Sequence, residues 1–113
     1  MKNEMKLRIE KDCLVVLFYG DVDHETTLAY RDRLVQAIEK EKYSKVILDF
    51  ENVSFIDSSG IGMVLGRYNQ VRRYDGCLYL SRLPEATRRL FDLTGLFSII
   101  EVVDQSEEVI NRE

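Results

Sequence analysis

Apolar and polar residues follow one another along this chain with two different periods, and the shorter period predicts which segments form strands. Over residues 5–10 apolar and charged residues alternate strictly, which is typical of a strand with one exposed face at the edge of a sheet. Residues 13–19 and 45–50 are apolar almost throughout, as in strands that are covered on both faces. We expect a turn at residues 11–12 to join the first two strands and Gly20 to end the second.

Apolar residues at three- and four-residue steps predict two amphipathic helices, one after each of the two buried strands. The stripe of the first helix consists of Tyr30, Leu34, Ala37 and Ile38. The stripe of the second consists of Ile61, Val64, Leu65, Tyr68 and Val71. Acidic or hydroxyl side chains stand just before each helix, where they can accept hydrogen bonds from the free N–H groups of the first turn. We expect Asp23 to cap the first helix, and Asp57 or Ser58 to cap the second.

The last third of the chain continues the alternation of strands and helices. A turn at residues 75–76 leads into a short apolar strand at residues 77–80. Pro84 suits the first turn of a helix, where its missing N–H costs nothing, and Gly95 is the expected C-terminal glycine of that helix. The residues expected to face inward from it are Ala86, Leu90 and Leu93.

A strand over residues 99–103 and a short helix capped by Ser106 complete the predicted order of elements. Two strands followed by alternating helices and strands indicate an α/β fold, with a mixed sheet of about five strands and about four helices packed against it. We find no repeat, linker or low-complexity tract, and we therefore expect residues 1–113 to form a single domain. Sites in such sheets lie beyond the carboxyl ends of parallel strands. Because Asp23 and Ser58 each follow one such end, we expect them to share a rim.

Composition and charge narrow the classes of function. With 45% hydrophobic residues, the chain can build a core without metal ions or disulfides, and we expect no cofactor and no bound metal. Its apolar runs are too short to span a membrane and no signal peptide precedes them, so we expect a cytoplasmic protein without membrane contact. The net charge of −4 gives no general reason to expect nucleic-acid binding. An excess of arginines between Arg67 and Arg89 lacks interleaved aromatic residues and is expected to lie on solvated helix faces.

The two cysteines give no sign of a metal or redox site. Cys13 and Cys77 each lie inside a strand-like run, and they do not form a C-x-x-C pair. We therefore expect both to be buried, reduced thiols.

Candidate chemistry centres on residues 54–62, where a strand passes into a helix through two serines, an aspartate and two glycines. A phosphate on Ser58 would meet free N–H donors and the positive end of the helix dipole, although a serine that only caps the helix is the plainer alternative. Gly60 and Gly62 each cost about 1 kcal/mol relative to alanine inside a helix. Their presence indicates that something approaches this backbone closely, either a partner or simply a neighbouring strand.

Residues 55–62, Phe-Ile-Asp-Ser-Ser-Gly-Ile-Gly, with Leu-Gly-Arg-Tyr at residues 65–68, resemble the phosphorylation segment of the anti-sigma factor antagonists, small bacterial proteins with the STAS fold. Further similarity at residues 20–24 and 89–97 extends the resemblance over most of the chain, and it is greatest to members of the sporulation pathway of sigma-F. The resemblance implies a STAS domain in which Ser58 is the phosphoacceptor. The partner-binding residues that it implies, together with the predicted rim, are Asp23, Asp57, Ser58, Ser59, Gly60, Ile61 and Gly62.

The same resemblance implies the partners. In the family, the anti-sigma factor is itself an ATP-dependent serine kinase, and a phosphatase of the PP2C type restores the hydroxyl group. The unphosphorylated antagonist binds the anti-sigma factor and thereby releases the sigma factor for transcription. The resemblance thus implies a binding protein that is switched by phosphorylation and is not an enzyme.

Two other classes of function start from the same residues. An enzyme could use Ser58 as its nucleophile, but G-x-S-x-G is absent because Ile56 stands two residues before it. His24 is the sole conventional candidate for a base, and we expect it to be a surface residue. A small-ligand module could hold a nucleotide or anion at the helix N-terminus, and it remains the alternative although no Walker A or G-x-G-x-x-G motif is present.

Overall fold

The structure, a computed structural model, describes residues 2–112, and this part of the chain contains five strands and four α-helices. The strands are β1 (Glu4–Glu10), β2 (Cys13–Val22), β3 (Lys45–Ile56), β4 (Cys77–Ser81) and β5 (Glu101–Val103). The helices are α1 (His24–Glu41), α2 (Ser58–Arg72), α3 (Glu85–Thr94) and α4 (Glu107–Ile110), and a 3-10 turn (Leu96–Ser98) precedes β5. The predicted α/β fold, with its mixed sheet and helices, is confirmed.

The strands pair in the order in which they occur in the chain, from β1 to β5. β1 lies at the edge, as predicted, and it runs antiparallel to β2 because the tight turn at Lys11 (φ 55°) joins the two strands. All the other pairs are parallel. The carboxyl ends of β2 and β3 therefore lie side by side at one edge of the sheet.

The sheet has a core on each face, which explains the near-continuous apolar runs of β2 and β3. In β3, Leu48 and Phe50 face the larger core under α1, α2 and α3, whereas Ile47 faces the smaller core under α4. The larger core is joined by phenylalanine rings, with 5.4 Å between the ring centres of Phe18 and Phe50 and 5.9 Å between those of Phe50 and Phe91. Alternate residues of a buried strand thus serve opposite layers.

The expectation that Gly20 ends β2 is wrong. The strand continues to Val22, and Gly20, at φ +81°, lies where its register against β3 shifts. A Cβ at this position would lie 2.3 Å from Oδ1 of Asn3. Glycine therefore allows an irregularity within the strand, and the two added residues bring Val22 level with Ile56 at the end of β3.

The stripe predicted for α1 is confirmed at Tyr30, Leu34 and Ile38. The stripe predicted for α2 is only partly correct, because Leu65 is 39% exposed. The helix instead buries a wider face whose additional members are Gly60, Met63, Arg67 and Gln70. Two of these side chains are polar, so apolar periodicity could not reveal them.

The stripe predicted for α3 is correct only at Leu90, which packs partly against the core, and the observed stripe is rotated relative to it. Leu93 is 86% exposed and Ala86 is also exposed, whereas Thr87 and Phe91 are buried. The reason is that the Phe91 ring fills the space beside Phe50 and so sets which face turns inward. Pro84 lies at the N-cap and so just precedes the first turn that was predicted for it, and the C-terminal Gly95 (φ 76°) is confirmed.

The final strand is shorter than predicted, because the 3-10 turn and two further residues precede it. Ser106 stands at the N-cap of α4 but makes no capping hydrogen bond, so that expectation is wrong. The carboxylate of Glu108 accepts from the N–H groups of Asp104 (2.8 Å) and Gln105 (2.9 Å), while Ser106 Oγ lies 3.3 Å from Ser81 Oγ inside the protein.

Only one of the two cysteines follows the prediction. Cys13 is buried, whereas Cys77 is exposed at the first position of β4. Within residues 2–112 no helix is both long and apolar enough to cross a membrane.

Candidate functional site

The N-termini of α1 and α2 meet at the edge of the sheet where β2 and β3 end. Val22 pairs with Ile56 in the parallel ladder, and the N–H of Asp57 donates to the carbonyl oxygen of Val22 over 3.3 Å. Each chain segment then turns directly into its helix. The predicted shared rim is formed in this way, because His24 at the start of α1 contacts Asp57 at the start of α2.

Asp57, the first of the two candidates, is the N-cap of α2. Its Oδ1 atom accepts from the N–H groups of Ser59 (2.8 Å) and Gly60 (3.2 Å). Its Oδ2 atom accepts from the N–H of His24 over 3.1 Å, so one carboxylate holds both helix starts. The N–H of Ile61 donates to the carbonyl oxygen of Asp57. The expectation that a phosphate here meets free N–H donors is therefore wrong for these residues of the first turn.

Asp23 is the N-cap of α1, as predicted. Its carboxylate accepts from the N–H of Thr26 (3.0 Å), while the hydroxyl oxygen of Thr26 accepts from the N–H of Asp23 (2.9 Å), which completes a capping box. The N–H of Thr26 stabilises the charged form and lowers the pKa of the Asp23 carboxyl. The start of α1 is thus closed by its own capping box, and Asp57 is the further acceptor for the N–H of His24.

The two serines of the motif differ in their surroundings. Ser58 is exposed at the first position of α2, and its hydroxyl makes no hydrogen bond within residues 2–112. Ser59 is half-buried, and its Oγ atom lies 3.4 Å from Nδ1 of His24. The contact with His24 could not be read from the sequence, because the two residues are 35 positions apart. His24 itself is exposed, as predicted.

The structure gives different surroundings to the two glycines of the motif. Gly60 is buried, and a Cβ there would lie 2.5 Å from Cγ1 of Ile56 and 2.7 Å from the carbonyl oxygen of Val22. The close approach at Gly60 therefore comes from the ends of the protein's own strands, and Gly60 is not part of an accessible surface. Gly62 is exposed, and a Cβ there would meet nothing within 4 Å. Ile61 packs partly against the core.

A cavity of about 340 Å³ lies between α1 and α2 and begins beside Ser59 and Gly62. It is lined by Thr27, Leu28, Arg31, Ser59, Gly62, Met63, Gly66 and Arg67, and is called the α1–α2 groove below. The expectation that all the arginines of residues 67–89 lie on solvated faces is wrong for Arg67, which is 7% exposed. No group of three His, Cys, Asp or Glu side chains in the described part of the chain could hold a metal ion.

Together these features favour a surface for binding and modification. Ser58 offers a free hydroxyl on a helix start that the cap of Asp57 holds in place. The exposed backbone at Gly62 allows close approach from outside. A nucleophilic serine needs a base within hydrogen-bond reach. The His24 ring, the candidate base, contacts the hydroxyl of Ser59 and not that of Ser58. The arrangement therefore does not favour Ser58 as a nucleophile.

Comparison with known proteins gives matches over nearly the whole chain. The model of the STAS domain matches residues 4–109. An anti-sigma F factor antagonist of Paenibacillus polymyxa is 30% identical over 104 residues, which cover 92% of this chain and 89% of that protein. An anti-sigma-B factor antagonist of Bacillus subtilis is 35% identical over 88 residues, which cover 78% of this chain and 79% of that protein.

A solved structure of the anti-sigma factor antagonist SpoIIAA in its unphosphorylated form has a TM-score of 0.76 and 28% identity, and the match covers 94% of this chain and 93% of that one. The phosphorylated form of SpoIIAA matches with the same TM-score at 27% identity, over 94% of this chain and 96% of that one. These likenesses confirm the fold that the sequence resemblance implied.

Proposed function

The chain belongs to the STAS domain family, and on that premise we propose that it is an anti-sigma factor antagonist whose binding is switched off by phosphorylation of Ser58. The observation that carries this proposal is the exposed, unbonded hydroxyl of Ser58 at a helix start that Asp57 fixes to both α1 and α2. Ser59 is the poorer acceptor, because it is half-buried and contacts His24.

The proposed modification is a phosphoryl transfer catalysed by the partner. Oγ of Ser58 attacks the γ-phosphorus of ATP, ADP leaves, and the hydroxyl proton passes to a base of the anti-sigma factor acting as kinase. A phosphatase of the PP2C type then hydrolyses the phosphoserine with water and returns the hydroxyl. The chain itself acts by binding and not by catalysis. The solved phosphorylated form of SpoIIAA supports this proposal.

The proposed contact surface is the rim that Asp57 organises. Its accessible members are Asp23, Asp57, Ser58, Ser59, Ile61 and Gly62. Gly60 contributes differently from the expected direct contact, since its missing side chain lets α2 begin close to Val22 and Ile56. The open position of Gly62 leaves room for partner atoms beside the backbone.

The proposed switch changes binding and leaves the fold unchanged. A phosphoserine adds about −1.5 to −2 charges, and the positive end of the α2 dipole favours an exposed anion by about 0.3 to 1 kcal/mol. Repulsion from Asp57 opposes this, and solvent and salt weaken the repulsion at the surface. Neither effect approaches a folding stability of roughly 5 to 15 kcal/mol. At an interface an unmatched phosphate costs several kcal/mol of binding free energy, because it loses its hydration.

We propose sigma-F as the sigma factor that is released, following the resemblance to the sporulation branch of the family. The relative from P. polymyxa, which covers 92% of this chain, supports this choice. The B. subtilis relative names sigma-B, so binding to both kinds of anti-sigma factor must be compared.

A nucleotide or anion held by the start of α2 is the less favoured function. The carboxylate of Asp57 already accepts from the N–H groups of Ser59 and Gly60, which a bound phosphate would need.

Incubation with an anti-sigma F kinase and radiolabelled ATP tests the acceptor. We expect Ser58→Ala to stay unlabelled, and Ser59→Ala, the matched control, to be labelled like the unsubstituted chain. The reverse pattern would overturn the assignment of Ser58. Parallel incubation with an anti-sigma B kinase tests the choice of sigma-F, which is wrong if only that kinase labels the chain.

A further inference from the structure

The guanidinium group of Arg67 in α2 is buried without a counter-charge. Arg67 is 7% exposed, and it makes no hydrogen bond or ion pair within residues 2–112. Its Nε atom is fully enclosed and has no acceptor. Burial, together with the positive charges of Arg31 and Arg73, lowers the pKa of Arg67. Buried arginines are normally paired, so this side chain indicates an acceptor from outside the chain.

Residues 2–112 do not supply that acceptor. Glu39 is a carboxylate that lines the continuation of the groove beside Arg67. Its oxygens accept from Nε2 of Gln70 (3.1 Å) and Nζ of Lys42 (3.2 Å), and it makes no hydrogen bond or ion pair with Arg67. The charges that act on Arg67, from Arg31 in α1 and from Arg73 at the C-cap of α2, are both positive.

The α1–α2 groove can receive a polypeptide segment. Gly62 and Gly66 line it without side chains, and a Cβ at either position would meet nothing within 4 Å. Leu28 stands on the other wall with 65% of its surface exposed, so the groove offers apolar as well as cationic contacts. Arg67 is nine residues beyond Ser58, about 13 Å along the axis of α2.

We propose that Arg67 and Arg31 bind an acidic side chain of the anti-sigma factor that lies in the α1–α2 groove. A carboxylate can accept two parallel hydrogen bonds from a guanidinium, and the terminal nitrogens of Arg67, which are not fully enclosed as Nε is, could donate them. The inference rests on the proposed function for the identity of the partner, and Ser59 and Gly62 make the groove continuous with the proposed rim. The exposed leucine and the open glycines favour a protein segment over a free, hydrated anion.

The contact would orient the partner as well as hold it. An ion pair about 13 Å from Ser58 fixes the direction in which the anti-sigma factor lies along α2, and so the position of Ser58 relative to the kinase site. Arg67 is thus a positioning residue, distinct from the phosphoacceptor.

Calorimetric titration of the unmodified full chain with the anti-sigma factor tests this inference. We expect Arg67→Met and Arg31→Met to weaken binding, the former by at least about ten-fold, because the partner's carboxylate would then be left unpaired. The matched control is Arg112→Met, which removes an exposed arginine paired with Glu101 beside the α4 face, and it should change affinity by less than about two-fold. Thermal unfolding should show Arg67→Met to be as stable as the unsubstituted chain or more so, since no internal partner is lost.

Several outcomes would overturn the inference. If Arg67→Met and Arg31→Met both bind like the unsubstituted chain, the groove does not take an acidic side chain, while the proposed function stands. If the unsubstituted chain binds no anti-sigma factor, the proposed function and this inference both fail. Titration of the free chain with inorganic phosphate, followed at the Nε–H signal of Arg67, tests whether the groove binds a free anion instead of an acidic side chain. We expect no saturable shift, and saturation by phosphate would assign the site to a free anion.

Discussion

Both α1 and α2 follow a parallel strand and begin at an aspartate, and the surroundings of the two caps differ. At the start of α1, Asp23 and Thr26 satisfy each other in a capping box. At the start of α2, Asp57 caps the helix and reaches across to His24, and the residues after it leave a hydroxyl and a glycine open to solvent.

The same kind of N-cap, an aspartate, therefore has different consequences at the two helices. The α1 start is closed by the capping box of Asp23 and Thr26, apart from the N–H of His24, which donates to Asp57. The α2 start is held by a residue that also fixes its neighbour, so it can expose Ser58 without fraying. Under the proposed function, a modifiable side chain on this rigid helix start would let a new charge act on the partner and leave the fold in place.

The largest expected effect separates the two glycines of α2. Gly60→Ala should lower the free energy of unfolding by about 2 to 3 kcal/mol, because its Cβ would press on Ile56 and on the backbone of Val22. Gly62→Ala, the matched control, should raise it by up to about 1 kcal/mol through better helix propensity. Urea unfolding followed by circular dichroism measures both. Equal effects would mean that Gly60 does not set the contact between α2 and the strands.

The next effect concerns the cap that joins the two helix starts. Asp57→Ala should lower the free energy of unfolding by about 1 to 2 kcal/mol, because three N–H groups lose their acceptor, one of them at the start of α1. Hydrogen exchange should rise in the first turns of both helices. Asp23→Ala is the control, and its effect should stay within α1. If Asp57→Ala speeds hydrogen exchange in α2 alone, Asp57 does not hold the start of α1.

Acid titration should affect the α1 cap in a defined direction. The pKa of Asp23 is lower in the folded chain, so its contribution to stability is present above the unfolded pKa and is lost as the pH falls through the folded value. The chain should therefore lose stability more steeply than Asp23→Asn between about pH 5 and 2. Asp49, whose pKa burial raises, has the opposite sign but is present in both proteins and cancels. Thermal unfolding at a series of pH values measures this difference. An equal loss of stability with falling pH in the two proteins would contradict the lowered pKa of Asp23.

The smallest effect on stability belongs to Ser58. Its hydroxyl makes no hydrogen bond within the described residues, so Ser58→Ala should change the free energy of unfolding by less than about 0.5 kcal/mol. Ser59→Ala is the matched control and should also stay close to the unsubstituted chain, apart from its contact with His24. A large loss in Ser58→Ala would show that the serine is structural, and would weaken its proposed role as a switch.

The sequence predicted the elements of the fold and the cap of α1, and it narrowed the cap of α2 to Asp57 or Ser58, because these features depend on local patterns. The strand periods, Asp23 and Gly95 are of this kind. It could not predict that β2 runs through Gly20, since that depends on a bulge against β3. The contact between Ser59 and His24 and the unpaired charge of Arg67 depend on how α1 packs on α2, and no spacing along the chain encodes them.

The affinity of the anti-sigma factor for the unmodified and the Ser58-phosphorylated chain, measured by calorimetry under identical conditions, tests the central claim most directly. We expect phosphorylation to weaken binding by at least about 100-fold, or about 2.8 kcal/mol, because the phosphate loses hydration at the interface without gaining a partner. Equal affinity of the two forms would contradict the account.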